Sequence, residues 1–181
     1  MIVAGRPDAV MLGDSHVCQQ AWEGHFPDIA ITARGKNART TEELLGWSDE
    51  VLRLDPALVV LIAGTNDAVR GRSLAKAESD YRRLVARLRP GRRLVLVSIP
   101  PCSSPLCASP AKRRWIERWN GRVEAIARES GSGFVDLHAV LDDGAGGLDP
   151  ALSEDGAHVN AAGLERWKDL LRPWLEPYRR P

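Results

Sequence analysis

Short apolar runs alternate along this chain with longer stretches in which apolar residues recur every three or four positions. The runs are Ala9 to Leu12, Ile29 to Thr32, Leu58 to Ala63, Leu94 to Ile99 and Phe134 to Leu137. Each reads as a strand. Leu58 to Ala63 contains no polar residue, which is the mark of a strand covered on both faces. The intervening stretches read as helices. Leu44, Trp47, Val51 and Leu54 share one helical stripe, opened by a capping box from Thr40 to Glu43. Leu74, Ala77, Tyr81, Leu84 and Leu88 form a second stripe, closed by Pro90-Gly91. Ile116, Trp119, Val123 and Ile126 form a third. Leu164, Trp167, Leu171 and Trp174 form the last, with Asn160 as its N-cap.

Strands alternating with helices predict a parallel sheet with helices on both faces, joined by right-handed crossovers. The expected architecture is an α/β, flavodoxin-like three-layer sandwich with a five-stranded parallel sheet. A length of 181 residues suits one domain spanning residues 1–181, and no repeat, low-complexity tract or long linker divides it. The segment Pro100 to Pro110 is the one long irregular connection.

Composition narrows the field. The chain is 44% hydrophobic and 27% charged, as ordinary globular proteins are. Its 25 Lys and Arg face 24 Asp and Glu, so no strong field points to nucleic acid or an anionic membrane as partner. The longest apolar stretch, Ala57 to Ala63, falls far short of the roughly 20 residues of a membrane span. Met1 to Pro7 does not read as a leader, so a cytoplasmic location is expected, although a secreted chain trimmed of its leader would read the same. Cys102 and Cys107 share a Pro/Ser-rich loop and would pair in an oxidising compartment; in the cytoplasm they are expected as thiols. No ligand spacing for zinc is present, and neither a metal nor an organic cofactor is expected. His25 and His138 lack a partner motif, and the six Trp fall mostly on helix stripes, where core packing is their default role. Nothing in the chain sets an oligomeric state.

Sites on open α/β sheets form outside the carboxyl ends of the strands. Four polar groups fall there: Gly13-Asp14-Ser15, Gly35 to Thr40, Gly64-Thr65-Asn66-Asp67 and Asp155-Gly156-Ala157-His158. Their types complement each other. A Ser hydroxyl needs a base to take its proton, and an imidazole needs a partner to hold its tautomer and its charged form. Asp155 and His158, three apart, fall on one side of a tight helical turn. Ser15 at a helix start would turn its own N–H toward a developing oxyanion, and the Asn66 side chain would add a donor. Plainer roles exist for each residue. Ser15 would serve as a helix N-cap, Asn66 as a loop fastener, and Asp155 with His158 as a surface turn. Asp67 fits loop ordering better than reaction, and His16 fits pocket lining.

Taken together, these blocks resemble the SGNH/GDSL hydrolase superfamily over nearly the whole chain, and more loosely its platelet-activating-factor-acetylhydrolase-like members. The resemblance implies that Ser15 is the nucleophile, that Asp155 and His158 are its relay, and that Ser15, Ala38 and Asn66 line the oxyanion hole. Ala38 stands where the family's second block carries a Gly, a role it keeps only if it tolerates the local backbone. Asp14, His16, Gly35, Arg39 and Asp67 are candidate substrate contacts. The implied activity is hydrolysis of a small ester, with a short acyl group such as acetyl. The basic cluster of Arg34, Lys36 and Arg39 would favour an alcohol part bearing negative charge. Acyl transfer by the same residues, and a non-catalytic module on the same fold, are the alternatives.

Overall fold

A computed structural model describes residues 6–180 of the chain. Its sheet is built from β1 (Ala9–Gly13), β2 (Ile31–Gly35), β3 (Leu58–Ile62), β4 (Arg93–Val97) and β5 (Gly133–Val135). All neighbours are parallel, in the order β2-β1-β3-β4-β5. Helices cover both faces. They are α1 (Ser15–Cys18), α2 (Trp22–His25), α3 (Thr41–Gly46), α4 (Ser48–Leu54), α5 (Thr65–Val69), α6 (Leu74–Leu88), α7 (Pro110–Ser130), α8 (Leu137–Leu141) and α9 (Ala161–Leu175).

The strand order carries a functional consequence. The chain leaves β1 toward β2 on one side and returns to β3 on the other. Connections from β1 and β3 therefore diverge, and a crevice opens between their carboxyl ends. Residues just after these two strands meet there.

Local chemistry explains the elements. Every residue of β1 and β3 is buried, as the unbroken apolar runs require. The capping box at α3 is complete, with Thr40 accepting from the Glu43 N–H and Glu43 accepting from the Thr40 N–H. Ser109 caps α7, Pro110 occupies its first turn, and left-handed Gly131 ends it. Asn160 caps α9.

Several expectations shift. The run Phe134 to Leu137 yields only β5, because Asp136 caps α8 and Leu137 opens it. The stripe from Leu44 to Leu54 belongs to two helices, because the chain breaks at Trp47 after Gly46 and the Ser48 hydroxyl bonds the Leu45 carbonyl at 2.8 Å. The second strand begins at Ile31 and runs on to Gly35, past the apolar run at Ile29 to Thr32. β2 is an edge strand. Ala33, Arg34 and Gly35 continue its ladder opposite Met11 to Gly13 while only partly covered. Apolarity marks burial, whereas the ladder follows hydrogen bonds.

The core is one cluster around Trp22, Trp119 and Trp167, all fully buried. Trp22 meets Trp167 edge to face at 4.8 Å, and Tyr81 meets Trp119 likewise at 5.2 Å. Truncating one such indole to alanine costs about 3–5 kcal/mol, a large share of a domain's stability of roughly 5–15 kcal/mol. Trp119 also sets the start of α5: its indole N–H donates to the Ala63 carbonyl at 2.8 Å. A side chain at Gly64 would strike that ring, and Gly64 has a φ of 127°.

Cys102 and Cys107 are bridged, with Cα atoms 5.7 Å apart and both residues buried. This departs from the expectation of free thiols. The tight loop brings the two within the span a disulfide needs. No described helix is long and apolar enough to cross a membrane.

Candidate active site

The strand end at β1 is crowded. A side chain at Gly13 would lie 2.8 Å from the Ile62 carbonyl oxygen. Asp14 follows and caps α1, its carboxylate accepting from the His16 N–H at 3.1 Å. Capping therefore falls to Asp14, and Ser15 is the first residue of the helix. α1 can sit this close to β2 because Gly35 has no side chain: a Cβ there would lie 2.6 Å from the Cys18 nitrogen. Gly35 thus serves the packing of α1 on β2.

The opposite side of the crevice is a loop between α8 and α9. Its residues Asp155 to His158 form a bend where the spacing suggested a helical turn. The Asp155 carboxylate organises it. Oδ1 accepts the N–H groups of Ala157 at 2.8 Å and His158 at 2.7 Å. Oδ2 pairs with His158 Nδ1 at 2.7 Å, and His158 Nε2 lies 2.9 Å from Ser15 Oγ. Partial burial alone would raise the Asp155 pKa; the bonds from the His158 ring and from the two backbone N–H groups overcome this and hold it well below the usual carboxylate range. The carboxylate is therefore held ionised beside the imidazole.

Residues with no motif of their own fasten this loop. The Ser153 hydroxyl donates to the His158 carbonyl at 2.6 Å and accepts the Gly156 N–H at 2.9 Å. The Gly156 carbonyl accepts two N–H groups from the disulfide loop, Ser103 at 2.8 Å and Ser104 at 3.0 Å. Gly156 has a φ of 71°, and a Cβ there would lie 2.8 Å from the Ser104 nitrogen. The positive φ suits glycine, the one clue the sequence carried.

The third group follows β3. Asn66, near the start of α5, donates from Nδ2 to the Asp14 carboxylate at 3.0 Å and to the Arg39 carbonyl at 3.1 Å. Ala38 is left-handed, with a φ of 61°, a conformation that costs a non-glycine residue about 1 kcal/mol. Its carbonyl accepts from Arg70 Nη2 at 2.6 Å. Arg70 was not among the residues the sequence singled out.

Four of the expected substrate contacts have other duties. Asp14, His16 and Asp67 are buried, so none presents a surface to substrate. Asp67 accepts from the Thr41 N–H and hydroxyl, each at 2.9 Å, and from Arg72 at 2.7 Å, which joins α5 to α3. The Arg39 guanidinium pairs with Glu43 at 2.7 Å and lies over the Trp47 ring at 5.3 Å. Arg34 bonds the Ala33 carbonyl at 2.9 Å. The basic cluster read from the sequence is thus partly spent on the protein itself.

His16 lies under the relay. Its ring centroid is 5.5 Å from that of His158, and its Nε2 lies 3.2 Å from the Thr65 hydroxyl. Burial pushes its pKa down against the attraction of Asp14, while burial pushes the Asp14 carboxyl up. A cavity of about 250 Å³ opens beside His158, lined by Glu154, Asp155, Val159, Asn160 and Ala161. Among the described residues, no group of three His, Cys, Asp or Glu is placed to hold a metal ion.

Known proteins share this arrangement of elements. A GDSL-like lipase from Bacteroides thetaiotaomicron superposes with a TM-score of 0.83 at 24% identity, over 93% of this chain and 87% of that one. Axe2, an acetylxylan esterase from Geobacillus stearothermophilus, superposes with a TM-score of 0.75 at 22% identity, over 97% and 96%. In sequence, Esterase TesA of Pseudomonas aeruginosa is 28% identical over 125 residues, 67% of this chain. The chain matches only 57% of the length of that relative. Residues 2–166 match the GDSL-like lipase/acylhydrolase family, and the chain belongs to it.

Proposed function

We propose that this protein hydrolyses carboxylic esters of short acyl groups through an acyl-enzyme formed on Ser15. The observation that carries the reading is the unbroken relay from Ser15 Oγ to His158 at 2.9 Å and on to Asp155 at 2.7 Å. His158 Nε2 takes the Ser15 proton as Oγ attacks the acyl carbon. The imidazolium that forms faces the ionised Asp155, which also holds Nδ1 in its protonated tautomer. His158 then returns the proton to the leaving alcohol, and later takes one from the water that releases the acid.

The oxyanion is held by the N–H groups of Ser15 and Ala38 and by Asn66. Asn66 keeps one N–H on Asp14, which sets the orientation of its amide. The other, bonded to the Arg39 carbonyl at 3.1 Å, is shared with the oxyanion as charge develops, without the amide moving. Membership of an acylhydrolase family and the likeness to proteins named as esterases support the reaction class. The fold shared with an acetylxylan esterase supports a short acyl group.

A series of p-nitrophenyl esters tests both parts, with Ser15→Ala as control. The expected kcat/KM peaks at about two to four acyl carbons and then falls, since each further methylene meets walls instead of gaining the ~0.8 kcal/mol of burial. A peak at about eight carbons or more contradicts the short acyl group. Turnover no faster than that of Ser15→Ala across the series contradicts the reaction.

A further inference from the structure

We infer that Arg70 is a positioning residue that holds the Ala38 turn in the shape the oxyanion requires. The inference rests on the proposed hydrolysis and concerns how its oxyanion hole keeps its form. Ala38 has a φ of 61°, a region that disfavours any side chain and that glycine occupies freely. The peptide that carries its N–H is therefore not held in place by the residue's own preference. External contacts must hold it.

Those contacts all come from one direction. Arg70 Nη2 donates to the Ala38 carbonyl at 2.6 Å, and Asn66 donates to the next carbonyl, that of Arg39, at 3.1 Å. Both residues belong to α5 or its C-cap, so one short helix grips two successive carbonyls of the turn. Glu43 completes the brace. Its Oε2 lies 3.4 Å from Arg70 Nη1 and accepts the Thr40 N–H at 2.8 Å, while its Oε1 pairs with Arg39 at 2.7 Å. Pinning the Ala38 carbonyl fixes ψ at that residue. This restrains the Ala38–Arg39 peptide and, with it, the left-handed turn that carries the Ala38 N–H. The bond is charge-assisted, which suits a task of holding a carbonyl against a backbone bias.

The test is steady-state hydrolysis of p-nitrophenyl acetate by Arg70→Ala, Arg70→Lys, Ala38→Gly and the double variant Arg70→Ala/Ala38→Gly. Thermal midpoints and fluorophosphonate labelling of Ser15 accompany the kinetics. Arg70→Ala is expected to lower kcat about tenfold with KM within about twofold, because the oxyanion N–H acts chiefly in the transition state. Arg70→Lys retains more of kcat than Arg70→Ala, since an ammonium still donates to a carbonyl although it lacks the fork that also meets Glu43. In the double variant, glycine removes the backbone bias and returns kcat to within about threefold of the parent. Should Arg70→Ala not fold, Arg70→Gln, alone and with Ala38→Gly, carries the same comparison.

Unchanged kcat in Arg70→Ala overturns the inference. So does a raised KM with kcat intact, which would make Arg70 a substrate contact. Losses that multiply in the double variant also overturn it. If the parent enzyme turns over and labels at Ser15 while Arg70→Ala matches it, only this inference fails. If the parent does not label at Ser15, the hydrolysis mechanism falls and the inference with it.

Discussion

The two halves of the site are built differently. The Ser15 half hangs on the ends of β1 and β3, with Asp14 and Asp67 buried completely beneath it. The His158 half is a loop with neither strand nor helix from Asp155 to His158, and the Asp155 side chain is 57% exposed. One half is part of the core. The other is held by a few hydrogen bonds from Ser153, Ser103 and Ser104. The difference fits the proposed chemistry. Donors aimed at a developing oxyanion work because they do not reorganise, and a packed sheet edge supplies that rigidity. A proton carrier needs reach and a correct tautomer, which a surface loop with a carboxylate partner provides.

Breaking the rigid half should cost the most. Asn66→Ala is expected to lower kcat by about 10²–10³-fold with little change in KM. It also leaves the buried Asp14 carboxylate without its side-chain donor, at a cost of about 1–3 kcal/mol in stability. Kinetics and thermal denaturation of the same preparation check both. A raised KM with kcat intact would instead make Asn66 a binding or loop-ordering residue.

Disturbing the loop half should cost less and differently. Gly156→Ala forces a side chain against the Ser103–Ser104 backbone and into a left-handed position. The expected result is a fall in kcat of about tenfold, with the thermal midpoint moving by only about 2–4 °C, because the loop lies outside the core. A large loss of stability with kcat preserved per folded molecule would show that this loop supports the fold and not the relay.

Much of this contrast was legible in the sequence, for a physical reason. The Ser15 and Asn66 blocks directly follow strands whose apolar runs are unmistakable, so the sheet itself brings them together. The Asp155–His158 pair was legible because three residues of spacing suffice for a carboxylate to reach an imidazole, although the bend that does this is not helical. Ala38 was singled out only through the resemblance to the family's second block, and its positive φ was not visible, since nothing in an alanine announces it. Arg70 was invisible because its partner lies 32 residues earlier and meets it only once α5 folds over the turn. The buried duties of Asp67 and Arg39 were hidden for the same reason. Composition marks a residue as polar, and only the returning chain shows whether its partner is substrate or protein.

The central claim is that Ser15 is a base-activated nucleophile, and covalent capture tests it most directly. Incubation with a fluorophosphonate, followed by digestion and mass mapping, should place one adduct on the peptide carrying Ser15. The adduct should be lost in Ser15→Ala and should form far more slowly in His158→Ala, because the hydroxyl reacts rapidly only when the imidazole takes its proton. An adduct on another serine, or labelling as fast in His158→Ala as in the parent, would contradict the account.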